Sequence, residues 1–185
     1  YNMAPSVLEM TDETISYNSE IEIDLWNYIR DGDDRLSDLE INVTQDNTGV
    51  DCSVDDTNRY LTCTSGLTLG TTNIIVDVND GCEVAENNFD ITVVNDPPVI
   101  RVPDYEQSCV HDLNKLVDLR DYSYDEDLAL ADFNLLSQTN TGLMNCVLDE
   151  NYFISCQVNT CDNDFTTLEV EITDIFGETD VDLFD

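Results

Sequence analysis

Acidic side chains crowd a few short segments of this sequence, in the residue types and spacing that a hard cation needs. Asp31, Asp33 and Asp34 fall within four consecutive positions. Asp121, Asp125 and Asp127, with Glu126 among them, crowd a segment of the second half. Asp80, Asn95, Asp96 and Asp174 stand at the ends of apolar-alternating stretches or in the connection between halves. Calcium takes about six to eight oxygens from carboxylates, amides and carbonyls. Carboxylates packed together repel one another unless a cation or solvent relieves them. These ten residues are therefore candidate calcium ligands. The competing reading is a set of solvated acids that cap turns, and no D-x-D-x-D-G loop is complete.

The seven cysteines are the second chemical signal. None forms a C-x-x-C pair, which disfavours a zinc ribbon or a thioredoxin-like site. Cys52 and Cys63 flank "SVDDTNRYLT", and Cys146 and Cys156 flank "VLDENYFIS". Folded as hairpins about Asp56–Asn58 and Glu150–Tyr152, each pair lies directly opposed on adjacent antiparallel strands, within disulfide range. Two disulfides are expected, Cys52–Cys63 and Cys146–Cys156. Cys109 and Cys161 remain in the second half and are paired as a third. Cys82, in "NDGCE", is left unpaired, as a free thiol or an intermolecular link. This usage implies an oxidising, extracellular compartment. Asn42-Val43-Thr44 is a glycosylation sequon.

Catalytic signatures are weak. The one histidine, His111, sits two residues from Cys109, which the disulfide scheme already uses. No G-x-S-x-G, H-E-x-x-H or phosphate-cradling glycine loop occurs. The expectation is a protein that is not an enzyme. Trp26 in "IDLWNYI" reads as a core or edge aromatic rather than a sugar platform.

Composition narrows the partners. Asp plus Glu is 41 against 6 for Lys plus Arg, a net charge of −35 over 185 residues, with Lys115 the single lysine. Such a surface repels nucleic-acid phosphate and anionic lipid. It is read as a solvated, self-repelling exterior, as a collector of divalent cations, or as an adaptation to high salt. No apolar run reaches the roughly 18 residues of a membrane span. The chain begins at Tyr1 without a signal peptide and reads as a processed or excised piece.

The elements that position these residues occur twice. "QDNTGVDCSVDDTNRYLTC" at 45–63 faces "QTNTGLMNCVLDENYFISC" at 138–156, at an offset of 93 or 94. "IIVDVNDG" faces "LEVEITDIFG" in the same way. Leu39, Ile41 and Val43 alternate with Glu40, Asn42 and Thr44, Ile74, Val76 and Val78 alternate with Ile75, Asp77 and Asn79, and the alternation recurs at Leu168, Val170 and Ile172. Period-two patterning broken by Asp, Asn and Gly turns predicts antiparallel β-sandwiches. A weak helical pattern covers 111–119. "VVNDPPVI" marks the seam, because two adjacent prolines cannot continue a central strand or a helix. The domains expected are 1–96 and 97–185. The second ends at "DVDLFD", whereas the first continues "FDITVVNDPPVI"; "YNMAPSV" at the start imitates the end of such a continuation. A two-domain piece of an array is therefore expected, joined head to tail to copies of itself or to neighbouring domains, with a neighbour supplying the continuation of the last strand.

"VNDPPVI", the run D-x-x-x-D-E-D-L-x-L-x-D-F at Asp121–Phe133 and the late V-E-I-T-D-x-x-G resemble cadherin-like and dystroglycan-type immunoglobulin-like domains. "IDLWNYIRD", "INVTQ" and "RYLTC" resemble Ig-like repeats of archaeal and bacterial cell-surface proteins. The resemblance implies an all-β chain of two tandem Ig-like (cadherin-like) antiparallel β-sandwiches, extracellular, modular and calcium-assisted. It also implies that Asn95 and Asp96 approach the loop of Asp121, Asp125 and Asp127 to hold a cation. The D-x-N-D-N linker and D-R-E triplet of true cadherins are missing, so the resemblance does not extend to their full interdomain calcium cluster. The function expected is a segment of a filament, S-layer or stalk assembled by strand complementation and cation-stiffened joints. The alternative is an adhesin or carbohydrate-binding module of a larger surface protein.

Overall fold

The computed structural model describes residues 2–55, 57, 59–105, 115–126, 130–160 and 165–185. The chain divides into two compact units, Tyr1–Asn95 and Asp96–Asp185. Each is all-β and has its own core.

The first unit runs through β1 (Ser6–Val7), β2 (Glu13–Ser16), β3 (Glu20–Asp24), β4 (Ile29–Arg30), β5 (Glu40–Gln45), β6 (Val50–Val54), β7 (Tyr60–Ser65), β8 (Gly70–Asn79) and β9 (Val84–Val94). The two large sheets have the orders β2-β9-β8-β5 and β3-β7-β6, and β1 pairs separately with β4. This is the strand order of an Ig-like sandwich, with hairpins and crossovers distributed between two facing sheets. Alternation builds it. In β8, Ile74, Val76 and Val78 are fully buried, while Ile75, Asp77 and Asn79 turn away from the core. They meet Phe89, Ile91 and Val93 of β9 and, from the opposite sheet, Leu61 and Cys63 of β7. The ladders are antiparallel except β2 against β9, the one parallel pair among the described strands.

The second unit repeats the plan: β10 (Val99–Ile100), β11 (Lys115–Asp118), β12 (Ser123–Tyr124), β13 (Leu130–Gln138), β14 (Met144–Leu148), β15 (Phe153–Val158), β16 (Leu168–Asp174) and β17 (Thr179–Phe184). Its larger sheets run β13-β16-β17 and β11-β15-β14, and β10 pairs separately with β12. Leu168, Val170 and Ile172 fill its core as Ile74, Val76 and Val78 fill the first. The helical expectation over 111–119 is corrected where the chain is described. Residues Lys115–Asp118 form β11, paired along its length with β15, and Leu119 opens a 3-10 turn, Leu119–Tyr122, capped by the Asp118 carboxylate. The sheet partner supplies the hydrogen bonds a helix would otherwise have to make internally.

Both hairpin disulfides are formed. Cys52 and Cys63 are direct partners in the β6–β7 ladder with Cα atoms 4.1 Å apart, and Cys146 and Cys156 are partners in β14–β15 at 4.0 Å. Each hairpin also holds a non-glycine residue in the left-handed region, Arg59 at φ 58° and Tyr152 at φ 66°. Their amides donate to Asp55 O and Asp149 O, and their carbonyls accept from Leu25 N and Leu119 N. Tertiary hydrogen bonds thus hold a conformation that side chains ordinarily avoid.

Candidate metal centre

The acidic cluster of the first unit starts as a turn. Leaving β4, the chain needs partners for two amides, and Asp31 Oδ1 accepts both, from Asp33 N at 2.9 Å and Asp34 N at 2.8 Å. Short acidic side chains close turns in this way. Gly32 lies between them because Met3 packs there; a Cβ at that position would stand 2.6 Å from the Met3 sulfur. Met3 N in turn donates to Asp33 Oδ1 at 2.9 Å.

A second turn, between β8 and β9, brings Asp80 to the same end. Asp80 Oδ1 accepts from Cys82 N at 2.6 Å and Glu83 N at 2.7 Å, and its Oδ2 accepts from Asn2 Nδ2 at 3.0 Å. Gly81 adopts φ 88°, which the tight turn requires.

The result is a concentration of oxygen ligands. Carboxylate oxygens of Asp31, Asp33 and Asp34 lie within 4.8 Å of one another. Asp31 Oδ2 is buried and accepts no hydrogen bond among the described residues. The electrostatics divide the group. The Asp34 and Asp33 amides hold the Asp31 carboxyl below its ordinary value, and the Glu83 amide and Asn2 side chain do the same for Asp80. Asp34 is pushed upward, by desolvation first and then by the charges of Asp33, Asp31 and Asp80. An all-oxygen, all-anionic set of this kind fits calcium or magnesium rather than zinc or copper.

The opposed signs allow a test. Support from Asp31 and Asp80 is fully present above the ordinary value of 3.8 and is lost as the pH falls through their lower folded values. Asp34 runs the other way: its contribution is present below 3.8 and lost as the pH rises through its raised value. Asp34→Asn is therefore expected to raise the thermal midpoint of the first unit at pH 7 in calcium-free buffer and to leave it unchanged at pH 3. Calorimetry at both values checks this; a lower midpoint at pH 7 would contradict it.

The other expected ligands are distributed differently. Asp174 is the counterpart of Asp80: it is buried and caps the β16–β17 turn by accepting from Phe176 N and Glu178 N, both at 2.9 Å. Asp125, also buried, follows β12 as Asp31 follows β4. Desolvation raises the Tyr124 hydroxyl pKa, helped by a hydrogen bond to Glu126 and by the charges of Glu126, Asp125 and Asp96. Asp121 does not share a loop with Asp125, contrary to the sequence reading. It belongs to the Leu119–Tyr122 turn ahead of β12, where its charge acts on Tyr105 and Arg120. Asn95 is the last residue of the first unit and Asp96 the first of the second. Asp127, Cys109, Cys161 and His111 lie outside the described residues.

Asn42 of the sequon is exposed on β5, facing away from the core and opposite Asp77. Cys82 is a free, exposed thiol. Trp26, expected in the core or at an edge, is 50% exposed on the 3-10 turn Leu25–Asn27. No helix among the described residues is long and apolar enough to cross a membrane.

No family model and no curated protein matches the chain. Among solved structures it is similar to the titin domains Z1Z2 crystallised with telethonin, at 12% identity over 100% of this chain and 95% of that one, with a TM-score of 0.49. It is similar to human protocadherin-24 EC1-2, at 15% identity over 99% and 94%, with a TM-score of 0.43. It is also similar to part of an endo-fucoidan hydrolase of glycoside hydrolase family 107, at 15% identity and a TM-score of 0.42; the chain spans 28% of that protein. At these identities the likeness is one of fold, and the Ig-like assignment rests on the strand order of each unit.

Proposed function

We propose that this chain is a segment of an extracellular structural protein of archaeal or bacterial cell-surface type: a filament, S-layer or stalk built from Ig-like domains placed end to end, with calcium stiffening the loop ends of the domains. The observation that carries the cation is the turn at Asp31. Its Oδ2 is buried and accepts no hydrogen bond among the described residues, within 4.8 Å of carboxylate oxygens of Asp33 and Asp34. Folding has assembled ligand oxygens that repel one another, and a divalent cation converts that repulsion into a clamp on the turn.

The rest of the reading is mechanical. A sandwich used twice, with a disulfide in the same hairpin each time, suits a part whose task is to resist extension. The disulfides and the outward-facing Asn42, a candidate glycan acceptor, fit an extracellular setting. A net charge of −35 makes nucleic acid an unfavourable partner and leaves copies of this chain, or neighbouring domains bridged by cations, as the favoured ones. The residues carry no catalytic role in this reading.

Electron microscopy of the purified protein, first in calcium and then in chelator, tests it. Filaments or sheets that disperse in chelator are the expected result. Dispersed particles in both conditions would overturn the assembly and favour the second reading, an adhesin or carbohydrate-binding module, for which the half-exposed Trp26 offers a stacking face.

A further inference from the structure

The first strand of the second unit, β10, is attached differently on its two sides. On one side it has a main-chain ladder. Val99 and Ile100 pair with Tyr124 and Ser123 of β12, and the next amide, Arg101 N, donates to Tyr122 O at 2.9 Å. On the other side it meets β17, with which it shares no ladder. There two carboxylates take the place of main-chain acceptors. Ile100 N donates to Asp180 Oδ2 at 3.0 Å and Val102 N to Asp182 Oδ2 at 2.5 Å.

The period of two on each strand matches donors to acceptors. Alternate amides of an extended chain point to one edge, and alternate side chains of β17 share one face. What the two bonds hold in place is apolar. Ile100 is 0% and Val102 6% exposed, and both belong to the core of the second unit.

The first unit holds its first strand without a charge. Leu168 faces Phe184 across β16–β17 as Ile74 faces Phe89 across β8–β9, so Asp182 matches Asn87 and Asp180 matches Ala85. Asn87 Nδ2 donates to Val7 O of β1 at 3.3 Å, and Ala85 offers no side-chain acceptor.

The surroundings of the carboxylate pair are mostly apolar. From β16, the buried Ile172 and Val170 stand opposite Asp180 and Asp182; from β12, Ser123 and Tyr124 flank β10. Charge comes from β10, where Arg101 Nη1 lies 2.6 Å from Asp180 Oδ2. Desolvation pushes the Asp180 carboxyl upward, but the Ile100 amide and Arg101 outweigh it and hold the group below its ordinary 3.8.

We propose that Asp180 and Asp182 form an acid-sensitive latch: ionised, they hold β10 against β17; protonated, they release it and uncover Ile100 and Val102. A protonated carboxyl keeps an acceptor oxygen but loses the charge that strengthens its hydrogen bonds and its pairing with arginine. The grip is complete above 3.8 and is lost as the pH falls through the lower folded value of Asp180. The latch involves neither filament formation nor calcium.

Amide exchange of the full chain, normalised to intrinsic rates, tests it at pH 6 and pH 2. Protection of Ile100, Arg101 and Val102 is expected to fall by about tenfold or more at pH 2, while Val170 and Ile172 on β16 keep theirs. The Arg101 amide, bonded to Tyr122 O rather than to a carboxylate, reports departure of the strand instead of the loosening of one bond. The double substitution Asp180→Asn, Asp182→Asn is expected to bring β10 to its acid level already at pH 6, with no further fall at pH 2. Equal protection of β10 in the unmodified protein at both values, or an equal loss on β16, would overturn the proposal whether or not the double variant folds. So would a fall that persists in that variant.

Discussion

Phe89→Ala is expected to cost the first unit about 3–5 kcal/mol, lowering its midpoint by roughly 15–30 °C while the second unit melts as before. Phe89 is 2% exposed, sits opposite Ile74 and packs with Ile91, Val93 and Leu61 in a core closed on all sides. Truncation leaves a cavity that interlocked strands cannot collapse into. The counterpart truncation, Phe184→Ala, is expected to cost less, although Phe184 is 3% exposed. It already borders an apolar groove of about 40 Å³ that Tyr105, Val117, Met144 and Ile154 also line, so part of the space it vacates joins existing volume. Calorimetry of both variants measures the difference. Equal losses would mean that the groove has no bearing on how the second core is held.

Removing the hairpin disulfides is the second large effect. The Cys52–Cys63 bond closes a separation of 11 residues and Cys146–Cys156 one of 10. In the chain-entropy model each restricts its unfolded hairpin enough to stabilise its own unit by about 3 kcal/mol. The double substitution Cys52→Ala, Cys63→Ala is expected to lower only the first transition, and Cys146→Ala, Cys156→Ala only the second. Reduction of the unmodified protein should lower both. Cys63 is fully buried, so alanine there also forfeits packing, and the substitutions should cost slightly more than reduction. A reduced protein that melts at the oxidised midpoints would show that the bonds do not constrain the unfolded chain.

Local pattern made much of this legible in advance. Ile74-x-Val76-x-Val78 has one apolar face, and a strand has no other way to bury it. Cys52 and Cys63, spaced symmetrically about a turn, had to meet once the hairpin closed, and the same spacing at Cys146 and Cys156 said so twice. The cluster at Asp31, Asp33 and Asp34 is sequence-local and forms as one turn. The site was only partly legible. Asp80 joins that end through a different turn nearly fifty residues on, and Asp121 and Asp125, close in sequence, belong to separate segments on either side of β12. Residue type said that each could bind a cation, and position alone decided which could act together. Two departures from the sequence expectation share a cause. The helical pattern at 115–118 yielded to a sheet partner, and β2 paired in parallel with β9 at the sheet edge. In each case a long-range ladder outweighed a weak local preference.

By itself the sequence determined an all-β chain, a unit used twice, two cross-strand disulfides, an outward-facing sequon on β5 and a surface that must attract cations. All of these stem from period, spacing and charge, which are properties of neighbours along the chain. Only the tertiary structure decided that Asp31 keeps a buried oxygen without a hydrogen bond among the described residues. It alone decided that Asp80 arrives at the same end through the segment Asn2–Met3, that Arg59 and Tyr152 sit in a left-handed conformation, and that Thr166 buries a hydroxyl with no hydrogen-bond partner among the described residues. Those facts depend on which distant segments arrive beside one another, and burial of a polar atom or the shape of a groove exists only after they have done so.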